Sequence, residues 1–159
     1  MLTLGLLHTT IRGDEKLIMM AAEARGVEVK LIDVRTEVFN PKTYKPDFQV
    51  ALERCVSTTK GPYATHFLEA MGVTVINSSS IASVCEDKFL TSLALQRAGV
   101  PTPGFALVFG FEEAKLAIEQ LGGFSVVIKP NVGSWGRLLA KINDMDALEA
   151  IIEHKDVLG

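Results

Sequence analysis

Lys129 ends an apolar run, and Pro130-Asn131-Val132-Gly133-Ser134-Trp135-Gly136-Arg137 follows it at once. Gly133 and Gly136 allow left-handed backbone angles, which can turn several N–H groups toward one point and so suit phosphate oxygens. Lys129 would bring a cation to the same anion. Two better-known phosphate loops do not fit. A Walker A loop needs Lys and Ser/Thr after its second glycine and opens a helix, whereas Arg137 follows Gly136 and a strand is expected next. Gly5 and Gly13 are too widely spaced for a G-x-G-x-x-G turn after the first strand. The segment therefore reads as a phosphate cover between two strands, with a plain hairpin loop as the alternative.

Asp87-Lys88-Phe89 forms a second feature at the start of an expected helix. A lysine there opposes the helix dipole, and a bound phosphate would give it a purpose; a solvated surface lysine is the other reading. Arg54 and Ser57 follow the third expected strand, at the carboxyl edge where open α/β sheets bind ligands. Arg54 could hold a carboxylate in a two-pronged contact or simply form a salt bridge. His8 and Arg12 follow the first strand at the same edge, while His66 and His154 read as surface residues on helices.

The elements that position these residues show in the apolar periodicity. Leu2–Leu7 is a short buried strand, and from Asp14 the spacing of Leu17, Ile18, Ala21 and Ala22 predicts a helix capped at Arg25-Gly26. Val27, Val29 and Leu31 alternate with polar residues as a strand does, completing a βαβ unit with a parallel crossover. Residues 33–47 are loop-like, 48–52 a strand, 62–71 a helix opened by Pro62, and 73–76 a fourth strand. The turn-forming stretch Asn77–Ser80 lies just before an expected boundary, with a small doubly wound α/β domain over 1–85 and an α+β lobe over 86–159. In the lobe a helix from Asp87 stops before Pro101 and Pro103, and Phe105–Phe109 reads as a strand. A helix then carries Ala114, Ala117, Ile118 and Leu121, strands cover 124–129 and 137–142, and Asn143 caps a last helix.

Composition narrows the classes. The 159 residues are 48% hydrophobic and 22% charged with a net charge of -3, which suits a soluble protein and offers no basic cluster for nucleic acid. No run approaches the roughly 20 apolar residues of a membrane span, and the first residues lack a signal-peptide pattern, so the default location is cytoplasmic. Cys55 and Cys85 have no Cys or His at metal-ligand spacing and read as small buried residues.

A small α/β domain, Asp87-Lys88, Val100-Pro101-Thr102-Pro103, Val127-Ile128-Lys129-Pro130 and Gly133-Ser134-Trp135-Gly136-Arg137 follow one another in the order of the ATP-grasp superfamily of carboxylate–amine ligases, which the chain resembles along its whole length. Glu53-Arg54-Cys55-Val56-Ser57, the segment from Gly133 to Lys141 and the closing Glu153–Gly159 are similar to the LysX family, whose members join α-aminoadipate to the C-terminal glutamate of the acidic carrier protein LysW in lysine biosynthesis. The resemblance implies a pre-ATP-grasp domain followed by the first lobe of an ATP-grasp fold. It matches Lys88 and Lys129 to lysines that contact nucleotide phosphates, and Gly133, Ser134, Trp135, Gly136, Arg137, Leu138 and Leu139 to a loop that closes over them. The implied reaction uses ATP and Mg2+: a carboxylate becomes an acylphosphate, and an amine displaces phosphate.

The family's magnesium ligands and amino-acid selectivity residues lie in a second lobe with no counterpart here. Asp144, Asp146, Glu149, Glu153 and Asp156 read as residues of one amphipathic helix, so no metal ligand is assigned and the 159 residues are expected to be an inactive piece of a ligase. Within the same chemistry the alternatives are a glutamate–LysW ligase of arginine biosynthesis and a RimK-like protein glutamate ligase. A non-catalytic nucleotide-binding module is the alternative of another class, and a response-regulator-like domain is disfavoured because no acidic cluster sits at the early strand ends. Arg12, Lys42, Lys45, Arg54 and Lys60 are candidates for meeting an acidic carrier, and homo-oligomerisation is left open.

Overall fold

The computed structural model describes residues 2–133 and 136–158, with side chains up to residue 154. The chain divides into two compact units, Met1–Ser83 and Val84–Gly159.

Unit 1 is built on a four-stranded parallel sheet in the order β2-β1-β3-β4, comprising β1 (Thr3–His8), β2 (Glu28–Asp33), β3 (Val50–Glu53) and β4 (Thr74–Ile76). Helix α1 (Gly13–Glu23) follows β1, and α2 (Lys60–Ala70) connects β3 to β4. The chain leaves β1 toward β2 on one side and later returns to β3 on the other, so a topological switch point lies between the carboxyl ends of β1 and β3. Leu7, Ile32, Phe48, Ala51, Val73 and Val75 bury against Ala64 and Leu68 of α2. Phe39, Tyr44 and Phe67 stack with centroids 5.2 to 5.5 Å apart, which anchors the 34–47 connection over α2. Gly5 is a packing requirement, since a Cβ there would sit 2.8 Å from the Phe48 ring and 3.2 Å from Ile32 Cδ1.

Several sequence expectations change. In β2 the buried residue is Ile32, 3% exposed, while Leu31 is 48% exposed: the apolar core on the α2 side takes Ile32, and the opposite face at this sheet edge is thinly covered. Asn77–Ser80 is not only a turn, because Ser79 begins helix α3 (Ser79–Glu86). Glu69 near the end of α2 accepts hydrogen bonds from Ser79 N at 3.0 Å and Ser79 Oγ at 2.5 Å, so a side chain from elsewhere starts that helix. Cys85 is exposed rather than buried, and Cys55 is half-buried.

Unit 2 holds α4 (Lys88–Arg97), α5 (Phe111–Gln120), the antiparallel pair β5 (Val126–Ile128) and β6 (Ala140–Ile142), and α6 (Met145–Leu158). Ala114, Ile118, Ile142 and Leu148 form its core, flanked by Val126, Ile128, Ala140 and Ile152. Phe105–Phe109 is not a strand: it has no ladder partner among the described residues, and Phe105 instead packs edge-on against Phe89 of α4 with centroids 5.9 Å apart. The strand expected from Arg137 begins at Ala140, because residues 136–138 form a turn. Asp144 rather than Asn143 caps α6, its Oδ1 accepting from Ala147 N at 2.9 Å.

Candidate functional site

The loop after β5 is tied to the start of α4. Asp87 and Val132 form an isolated antiparallel bridge, and Lys88 N donates to the Asn131 carbonyl at 2.9 Å. The Asp87 carboxylate accepts from Phe89 N at 2.8 Å and Leu90 N at 2.9 Å, a two-donor N-cap that fixes where α4 begins. That cap puts Lys88 at the first helical position, where its Nζ donates to the Gly133 carbonyl at 2.6 Å. The ammonium therefore sits on the glycine-bearing loop in an exposed contact. Gly133 has φ 143° and Gly136 φ 66°, both in the region glycine enters without a Cβ clash.

Lys129 lies immediately after β5 and is exposed. Arg137 and Leu139 are exposed beyond the Gly136 turn. Leu138 has φ 59° and is 83% exposed, an unfavourable backbone for a branched apolar residue that its surroundings do not bury. Ser134 and Trp135 lie outside the described residues. Lys88 and the 131–133 backbone are thus brought together, with Lys129 at the loop's entry.

Arg54 sits at the carboxyl edge of unit 1, one step past β3, its N donating to the Leu7 carbonyl at 3.0 Å. Its guanidinium is engaged within the unit: Nε donates to Glu15 Oε1 at 3.2 Å and Nη2 to Asp14 Oδ2 at 3.3 Å. Ser57 Oγ accepts from Lys60 N at 3.1 Å, which helps start α2. His8 ends β1 opposite Asp33, is 8% exposed, and its Nδ1 has no hydrogen-bond partner among the described residues.

Glu15, in the first turn of α1, is a residue of this edge that the sequence reading did not single out. It is fully buried and accepts from Arg12 N at 2.8 Å, Arg12 Nε at 3.0 Å, Arg12 Nη2 at 2.7 Å and Arg54 Nε. The Arg12 side-chain hydrogen bonds hold its carboxyl down at about 2 against the cost of burial. The i,i+3 spacing of Arg12 and Glu15 was the available signal. At the neighbouring strand end, Arg35 holds Asp33 well below the usual carboxylate range by a side-chain hydrogen bond.

Among the described residues no group of three or more His, Cys, Asp or Glu side chains could hold a metal ion. No helix among them is long and apolar enough to cross a membrane.

A family model described as the LysX preATP-grasp domain matches residues 4–84. The chain is 40% identical over 149 residues to a glutamate–LysW ligase ArgX of Sulfurisphaera tokodaii, covering 94% of this chain and 52% of that protein. It is 31% identical to an α-aminoadipate–LysW ligase LysX of Saccharolobus solfataricus, covering 91% of this chain and 53% of that one. The chain thus spans about half the length of the curated relatives it matches. A crystal structure of a RimK domain ATP-grasp protein from Sphaerobacter thermophilus superposes with a TM-score of 0.81 at 30% identity, covering 99% of this chain and 60% of that one. With its four-stranded parallel unit, its lysine-bearing loop and a match over residues 4–84, the chain belongs to the LysX family of ATP-grasp proteins.

Proposed function

We propose that the chain is part of an ATP-dependent carboxylate–amine ligase of lysine or arginine biosynthesis, one that joins a dicarboxylic amino acid to a LysW-type carrier. The contact between the Lys88 ammonium and the Gly133 carbonyl carries this reading, because it stations a cation at the start of a loop whose glycines can turn N–H groups to phosphate. Lys88 and Lys129 neutralise the nucleotide phosphates, and the loop from Gly133 through Ser134, Trp135, Gly136, Arg137 and Leu138 to Leu139 covers them. ATP supplies the phosphoryl group that activates a carboxylate of the carrier's C-terminal glutamate for attack by the amino acid's amine, which displaces phosphate. Closing the loop excludes water from that activated group. The turn that leaves Leu138 exposed with a positive φ suits a segment that rearranges when ligand arrives.

Arg54 and Ser57 bind substrate at the carboxyl edge of unit 1 in this reading. Identities of 40% and 38% to glutamate–LysW ligases, against 28 to 31% to α-aminoadipate–LysW ligases, favour glutamate, and α-aminoadipate is the second reading. Exposed Lys42, Lys45 and Lys60 suit an acidic carrier. The described residues do not fit a magnesium site, and no step is assigned to that ion. Calorimetric titration of the chain with ATP tests the reading. Saturable binding weakened at least tenfold in both Lys88→Ala and Lys129→Ala supports it, and unchanged affinity in both variants overturns it.

A further inference from the structure

The buried Glu15 carboxylate joins two arginines that come from different strands. Arg12 follows β1 and caps α1, and Arg54 follows β3. These two strand ends flank the switch point of the sheet, the position at which open α/β sheets bind ligands. The same place therefore receives two guanidinium groups, held by a side chain that is fully buried.

The arrangement holds both guanidiniums at the surface, with the Arg12 and Arg54 side chains 40% and 37% exposed. A buried carboxylate satisfied by the Arg12 backbone N–H and one bidentate guanidinium already has its lone pairs well occupied. The second arginine brings a like charge beside the first, and Glu15 and Asp14 together balance the pair. Asp14 is the looser of the two: its carboxylate is 71% exposed and lies 3.3 Å from Arg54. Contacts to Glu15 and Asp14 use Nε and Nη2 of each guanidinium, and Nη1 of each makes no hydrogen bond among the described residues. His8 is a further polar residue at the same sheet edge. It ends β1 on the face shared with Leu6, is more than nine-tenths buried, and its Nδ1 has no hydrogen-bond partner among the described residues.

We propose that Glu15 is a positioning residue that pairs Arg12 with Arg54, and that the two guanidiniums together form a binding site for a carboxylate of a dicarboxylic amino acid. The incoming carboxylate displaces Asp14 from Arg54. This rests on the ligase reading for the identity of the ligand, while the site itself stands on unit 1 alone.

The test uses the 159-residue chain labelled with 15N-arginine, following the Nε–H resonances of Arg12 and Arg54 during titration with L-glutamate, L-2-aminoadipate, and a peptide ending in glutamate. Saturable shifts of both resonances with a free amino acid are expected; a response to the peptide alone moves the site to the carrier and overturns the assignment to the amino acid. Arg54→Lys and Glu15→Gln should each weaken binding about tenfold or more. Asp14→Asn, an exposed change that leaves Glu15 in place, should tighten binding severalfold by removing the competing carboxylate. A purely structural Glu15–arginine cluster would not respond to that substitution. Unshifted resonances, or equal affinity in Asp14→Asn and Arg54→Lys, overturn the proposal. ATP titration of the same samples separates the two readings: nucleotide binding without carboxylate binding removes the arginine site and spares the ligase reading, and the reverse outcome does the opposite.

Discussion

Lys88 donates to the carbonyl of Gly133 at 2.6 Å, so the first residue of α4 and the glycine of the β5–β6 loop are joined across a long stretch of sequence. The backbone repeats the connection through Lys88 N and the Asn131 carbonyl. Removing the ammonium should therefore leave the loop attached. Lys88→Ala is expected to lower the unfolding free energy by no more than about 1 kcal/mol, as befits a partly exposed contact, while ATP affinity falls at least tenfold. Chemical denaturation beside calorimetry checks the separation.

Asp87 controls that geometry through its cap. Asp87→Ala removes the acceptor for Phe89 N and Leu90 N and should cost about 1 kcal/mol, read as a lower denaturation midpoint with an unchanged slope. Asp87→Ser, which keeps a capping oxygen, should recover most of the loss.

Glu15 makes stability depend on acid. Its carboxyl is held at about 2 in the folded protein against an ordinary 4.5, so the unfolded chain takes up this proton first as the pH falls. The stabilisation is fully present above pH 4.5 and is lost progressively as pH drops toward 2. Glu15→Gln should flatten the stability profile across that window, as thermal melts at successive pH values would reveal. A profile as steep as that of the parent chain would contradict the assignment.

Gly5 stands in the central strand with the Phe48 ring where a methyl group would go. Gly5→Ala should destabilise by about 1 to 3 kcal/mol through overpacking, and Phe48→Leu should recover part of this in the double variant.

The two thiols should separate kinetically. Burial, reinforced by the Glu53 carboxylate, pushes the Cys55 thiol up to about 12, and Cys85 is exposed. At pH 8 a thiol reagent should modify Cys85 promptly and Cys55 only after unfolding, with mass spectrometry after proteolysis locating the label.

Most of unit 1 was legible because parallel strands buried on both faces write short apolar runs, as in Leu4–Leu7, and the helices between them keep their periodicity. Phe105–Phe109 carries the same signature and failed, since an apolar run can equally well cover a helix, as Phe105 does against Phe89. Helix α3 escaped notice because Ser79 depends on Glu69, a partner that local sequence does not reveal. In the candidate site, glycine spacing and a cation at the wrong end of a helix singled out the loop and Lys88 separately, and the fold joins them at the Gly133 carbonyl. Arg54 was placed at the right edge, but its partners Glu15 and Asp14 belong to a distant helix and only the fold brings them together.

The strand order also bears on how the polypeptide leaves the ribosome. β1 precedes the other three strands of its sheet in sequence and has partners on both sides, β2 and β3. A nascent chain stalled before Val50 has a central strand with one open flank, and Leu6 and Leu7, both at 0% exposure in the finished protein, would have nothing to cover them fully. Vectorial synthesis therefore leaves β1 paired on one side only until β3 emerges.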